Sequence, residues 1–380
     1  MASWRLEEII LPLYLEDIDL SDNSLGSIPM NLSSLARLQK LKFAENTLQS
    51  VCAHTLPPNV KILDLRSNKT LVSLCCAQHL TKLESLYLND TEIGRCFANV
   101  ALPAALLSLN IADCSLRSIT QQNLPPNLLY LTVCNNAELS LTNTTIRGHL
   151  VHATFKNCQL STIDGVVFPE SLRVLNLSKN RLACIDHARL PLQLNELNLA
   201  NNALLSIDQA PLPPSLRSLN ICDNQISSIA AHRLPSCLTK LCLSKNKMKT
   251  IPIGLDVCAH VQKLHLNGNP IETLEGAKFP PSLRRLELNE LKLTSLKGLQ
   301  LPASVLTLSL NSHTFTSFGC PAFSTQLRVL CMRKCEIHSF EHIKFNDGLE
   351  ELDLRESKIK CFRGLQIPPQ LFMKTKEVKL

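Results

Sequence analysis

Residues 190–207 read LPLQLNELNLANNALLSI, residues 212–229 read LPPSLRSLNICDNQISSI, and residues 234–251 read LPSCLTKLCLSKNKMKTI. The offset is 22 residues each time. A fixed period of this size constrains the fold more than any bulk property. Each unit is one supersecondary element that cannot bury its apolar residues alone and must stack on its neighbours.

Aligned as L-x-x-L-x-L-x-x-N-x-L-x-x-I, units begin at residues 15, 38, 60, 83, 106, 128, 150, 172, 194, 216, 238, 261, 283, 305, 327 and 349. Every spacing is 22 or 23 residues, and a seventeenth unit starts at Leu371 and breaks off at LFMKTKEVKL. The expected organisation is an N-terminal cap over 1–14, an uninterrupted array of 16 repeats over 15–370, and an incomplete repeat or basic tail over 371–380.

The spacing dictates local structure. In Leu216-Arg-Ser-Leu219-Asn-Ile221, apolar and polar residues alternate with a period of two, which marks a short strand with one buried face. Stacked strands then form a parallel sheet, and fifteen inter-strand steps give an arc of about 70 Å. At the ninth position an inward amide can donate and accept at once, which satisfies backbone groups buried where the chain turns. Nine units place asparagine there: Asn23, Asn46, Asn68, Asn136, Asn180, Asn202, Asn224, Asn246 and Asn269. Cys114, Cys158 and Cys335 substitute for it as weak donors. Leu291 cannot, and His313 and Ser357 act differently. Ten units carry proline three residues before the first leucine, for example Pro57, Pro125, Pro191, Pro213 and Pro280. Proline fixes φ and biases its predecessor to extended geometry, so the returning arm is expected to be extended or turn-like. Residues 137–150 lack this proline, and Ala153 replaces a leucine; a bulge or mobile loop is expected there.

LxxLxLxxNxLxxI with LPxxL lead-ins, phased over essentially the whole chain, resembles the leucine-rich repeat proteins. The resemblance implies an α/β solenoid, a horseshoe with a parallel concave β-sheet. Its convex side is then mostly irregular, polyproline II or 3-10. The LPPSL lead-in looks like the short, proline-rich repeat classes found in bacterial effectors and protist proteins, some of which carry a kinase domain. It implies a protein partner on the concave face.

The residues themselves exclude several function classes. No two glycines lie closer than Gly268 and Gly276, so GxGxxG, GxxxxGK and GxSxG cannot occur. HExxH is absent; His149 and His152 form only an HxxH, and Cys331 and Cys335 face different environments in the repeat frame. No enzyme activity, cofactor or metal is expected. The net charge of +7 lies entirely in residues 191–380, too mild an excess for nucleic-acid binding. The start, MASWRLEEIILPLYL, lacks a basic n-region, and no apolar stretch is long enough to span a membrane. With that reading the 16 cysteines are expected to be reduced and the chain cytoplasmic. Asn68 lies in the sequon Asn-Lys-Thr yet is a repeat-core residue that a glycan could not share.

Candidate binding residues are the outward positions of the concave sheet. Asn176, Asn198 and Asn220 form a row at the fifth position, able to bond one another or a partner. Lys240, Lys263 and Arg285 occupy the third position of three successive units, beside His265 and Glu287. Like charges on neighbouring strands repel, so folding alone does not call for them. An acidic partner segment would fit, unless Glu287 and Glu290 neutralise the cluster locally. The expected function is a non-enzymatic scaffold binding protein partners through this face. The alternatives are the recognition portion of a larger signalling enzyme (a kinase or ubiquitin ligase) and a receptor ectodomain.

Overall fold

The computed structural model describes residues 10–119, 124–314, 323–337, 340, 345–359 and 371–374, with the backbone alone for 372–374. Residues 1–9 of the expected cap and 375–380 of the expected basic tail lie outside them. The chain divides into two compact units, Met1–Leu194 and Asn195–Leu380.

In the first unit, three-residue strands pair in parallel in chain order: Asp17–Asp19, Lys40–Lys42, Ile62–Asp64, Ser85–Tyr87, Ser108–Asn110, Tyr130–Thr132, His152–Thr154 and Val174–Asn176. In the second unit the series is Glu196–Asn198, Ser218–Asn220, Lys240–Cys242, Lys263–His265, Arg285–Glu287, Thr307–Ser309, Val329–Cys331, Glu351–Asp353 and Phe372–Lys374. The strands occupy the third to fifth positions of their units. The last pairing sets Phe372 opposite Glu351, one step ahead of a unit beginning at Leu371. The fourth position of each strand points inward: Leu63, Leu86, Leu219, Leu264 and Leu308 are fully buried.

Proline closes the coil rather than merely stiffening it. The carbonyls of Pro125, Pro191, Pro213 and Pro280 accept the N–H of Leu128, Leu194, Leu216 and Leu283 at 3.2, 3.1, 3.1 and 3.1 Å. Each is the i to i+3 bond of a tight turn that delivers the chain into its strand. The returning arm holds 3-10 turns, such as Ala53–Thr55, Ala77–His79 and Leu255–Val257, and no α-helix among the described residues.

The bulge expected around 137–150 and Ala153 is not found. Ala153 pairs in register with Leu131 and Leu175, and Thr145 bridges Val167 on the arm. Phe155 and Phe168, both buried with ring centroids 6.4 Å apart, supply apolar volume beside the small Ala153. Close packing needs total volume, not leucine at every position.

The amide ladder ties successive coils together. Asn68 Oδ1 accepts the Leu48 N–H at 3.0 Å, while its Nδ2 donates to the carbonyls of Phe43 and Leu65 at 2.8 and 2.9 Å. Asn136, Asn180, Asn224, Asn246 and Asn269 repeat the pattern. Asn23 is exposed and donates within its own coil. The thiols of Cys114, Cys158 and Cys335 donate to Leu88, Val133 and Leu310 carbonyls at 3.1, 2.9 and 3.2 Å. His313 Nε2 reaches the Leu288 carbonyl at 2.7 Å, Ser357 Oγ the Met332 carbonyl at 2.7 Å, and Thr91 Oγ1 the Leu88 carbonyl at 2.7 Å.

Candidate functional site

The open face of the sheet is built from third and fifth positions, whose side chains alternate with the buried fourth. In the first unit three cations of this face pair with acids. Lys40 meets Asp17 at 3.8 Å, Lys42 meets Asp19 at 3.1 Å, and Arg66 meets Asp64 at 2.8 Å. The second unit differs. Lys240, Lys263 and Arg285 stand in register on three adjacent strands, all exposed. Neither Lys240 nor Lys263 has an acidic partner among the described residues.

Arg285 does have one. Its Nε donates to Glu287 Oε1 at 2.8 Å, and Glu287 Oε2 also meets His265 Nδ1 at 2.8 Å and Asn267 Nδ2 at 2.9 Å. The His265 hydrogen bond leads in holding the Glu287 carboxyl down at about 2. Glu287 is therefore committed to Arg285, His265 and Asn267, and Glu290 makes no ion pair among the described residues. Neutralisation is local to Arg285 and leaves Lys240 and Lys263 as open cations.

The fifth-position asparagines behave differently from a self-bonded row. Asn198 Oδ1 accepts the N–H of Ala200 at 3.0 Å, and Asn220 Oδ1 that of Cys222 at 3.1 Å. Asn176 does the same with Ser178 at 3.0 Å in the first unit. Each amide oxygen closes the turn two residues on, the Asx pattern. Asn198 and Asn220 lie in register, yet neither Nδ2 bonds the other. Those donors face outward.

A second amide chain was not anticipated from the sequence. Asn267 Oδ1 accepts the Asn289 N–H at 2.9 Å, Asn289 Oδ1 that of Asn311 at 2.7 Å, and Asn311 Oδ1 that of Arg333 at 2.8 Å. The signal was present: asparagine recurs at the seventh position at 22-residue spacing. It rigidifies the rim beside Glu287.

The expectation that the cysteines are reduced needs correction at one place. Cys222 and Cys242 form a disulfide, with Cα atoms 5.7 Å apart. Cys222 is the seventh residue of its coil and Cys242 the fifth of the next. Those columns converge on the open face within bonding range, which a column-by-column reading of thiols misses. His152 stacks on Tyr130 with ring centroids 5.1 Å apart. On the open face, no three metal-ligating atoms converge among the described residues.

A leucine-rich repeat family model matches residues 14–35. No curated protein matches the chain. Solved structures match along almost its whole length. YopM from Yersinia enterocolitica is 22% identical with a TM-score of 0.56, covering 94% of this chain and 81% of its own. A leucine-rich repeat protein of Leptospira interrogans is 20% identical with a TM-score of 0.57, covering 91% of each. CroV588, a circular leucine-rich repeat protein, is 17% identical with a TM-score of 0.69, covering 96% of this chain and 53% of its own. The chain is a leucine-rich repeat protein. Its fold is the solenoid of that family, with parallel strands on one side and 3-10 turns in place of helices on the other.

Proposed function

We propose that this leucine-rich repeat protein is a non-enzymatic interaction scaffold. It receives an acidic segment of a protein partner on the open face around Lys240 and Lys263. The observation that carries the reading is the contrast in charge pairing. Lys40, Lys42 and Arg66 on the first unit's face have acids within 4 Å, whereas Lys240 and Lys263 stand side by side without any. Two like charges about 5 Å apart are an electrostatic cost to the free protein, relieved when an acidic group arrives. His265, Arg285 and Glu287 form the braced edge of the site, and the outward amides of Asn198 and Asn220 offer neutral donors on the next strands. On the first unit's own face, Asn176 carries an amide of the same kind.

The test is capture from lysate by the wild type beside a Lys240→Glu, Lys263→Glu variant with unchanged circular dichroism. A partner held by the wild type and lost by the variant supports the reading. Identical captured sets would sink it.

The Cys222–Cys242 disulfide favours a second reading, an ectodomain working in an oxidising compartment instead of the cytoplasm. Thiols titrated in denaturant without reductant decide it. Two fewer reactive thiols than after reduction supports this reading; equal counts refute it.

A further inference from the structure

Away from the open face, the returning arm of the first unit holds a second parallel pairing, Ser50–Cys52 with Ser73–Cys75. This pairing puts Cys52 directly opposite Cys75. The next residue, Cys76, takes a left-handed conformation, φ 59° and ψ 20°. A β-carbon is disfavoured there, and such strain persists only where the surroundings impose it. The turn folds Cys76 back beside the pair. The sulfurs of Cys52, Cys75 and Cys76 all lie within 4.8 Å of one another, the single such group of metal-ligating atoms among the described residues.

These thiols differ from the ladder cysteines and are the three that converge among the described residues. Cys114, Cys158 and Cys335 are buried donors in the inter-coil ladder, whereas Cys75 is exposed and Cys52 and Cys76 are part-exposed. Packing therefore does not account for them. A disulfide would consume two sulfurs and leave the third without a role. A single soft cation uses all three. Two imidazoles follow on the adjoining 3-10 turns, His54 on Ala53–Thr55 and His79 on Ala77–His79, with ring centroids 5.5 Å apart.

We infer that Cys52, Cys75 and Cys76 form a binding site for one thiophilic metal ion, of the class of Zn²⁺ or Cu⁺. Thiolate sulfur selects such ions over hard cations. Tetrahedral Zn–S bonds of about 2.3 Å set sulfurs about 3.8 Å apart, a modest closure of part-exposed side chains. Three thiols release three protons to solvent on binding, and the metal keeps its oxidation state. Three thiolates complete a trigonal Cu⁺ site; Zn²⁺ takes water as its fourth ligand. The ion would staple two neighbouring coils on the arm.

The full chain, reduced and handled anaerobically, would be titrated with Zn²⁺ and with Cu⁺ against chromophoric competing chelators. Co²⁺ serves as a spectroscopic probe. The expected result is one equivalent of Zn²⁺ or Cu⁺, with a thiolate-to-cobalt charge-transfer band. A Cys52→Ser, Cys75→Ser, Cys76→Ser variant should weaken binding more than the roughly 10–100-fold loss typical of an outer-shell change. Exposed Cys96→Ser should leave it unaltered. If the triple variant fails to fold, the exposed Cys75→Ser alone should abolish the band. Stoichiometry unchanged in the folded variants, or no thiolate band with wild type, would overturn the assignment. The arm that binds tighter identifies the metal.

Discussion

At the residue scale, one backbone position recurs with no exception. The eighth residue of every unit is left-handed, from Asp22 (φ 56°) through Lys179 (φ 57°) and Lys245 (φ 53°) to Glu356 (φ 60°). Glycine stands there once, as Gly268 (φ 67°). The conformation is imposed by the coil beyond it: the Glu45, Ser67 and Lys245 N–H groups donate to the carbonyls of Arg66, Asn89 and Asn267. Lys179 is exposed and isolates the backbone term. Lys179→Val should destabilise by about 1–2 kcal/mol, since a β-branched residue fits this region worst, while Lys179→Gly should be near neutral. Denaturant midpoints check both. Glu287 gives the pH prediction. Its carboxyl is lowered from 4.5 to about 2, so the group adds stability above pH 4.5 that is lost as pH falls toward 2. Glu287→Gln should flatten that part of the acid-unfolding curve; an unchanged acid limb would show that the His265 and Arg285 contacts contribute nothing.

At the scale of one coil, the hydrogen bonds across the turn matter beside the leucines, because the buried groups they satisfy cannot turn to water instead. Asn246 satisfies the Ile226 N–H and the carbonyls of Ile221 and Leu243 at 3.0 Å each. Asn246→Ala strands these groups in a dry interior and should cost about 2–4 kcal/mol. Cys335→Ala loses one weak S–H donor and should cost about 1 kcal/mol. Amide hydrogen exchange should open first in the coils flanking Asn246, since solenoid coils touch only their neighbours. Equal losses for the two variants would mean the thiol and the amide do the same job.

At the scale of the whole molecule, charge distribution is the property that bears on binding. All of the +7 excess falls after residue 190, and the structure places part of it as Lys240 and Lys263 on an open sheet face. Capture through this face should weaken steeply between about 0.15 M and 1 M salt, as the screening length falls from roughly 8 Å to 3 Å. Salt-insensitive capture would shift attention to the neutral amides Asn198 and Asn220.

Periodicity made the architecture legible, since a 22-residue repeat of inward leucines has one physical solution: stacked coils, each burying its neighbour's core. The ninth-position amides were legible for the same reason, as a buried turn needs a group that both donates and accepts. Relations between columns were not. The sequence says that Cys222 and Cys242 sit at different positions of their units; only the stacked coils show that those positions meet. It says that Glu287 lies near three cations, but the geometry gives it to Arg285 and His265 and leaves Lys240 and Lys263 open. Cys52, Cys75 and Cys76 are ordinary by spacing, and become neighbours through one parallel pairing and one left-handed residue. Pattern along the chain determined which side chains point in; contact across the chain, which the period alone does not encode, decided which of the outward ones act together.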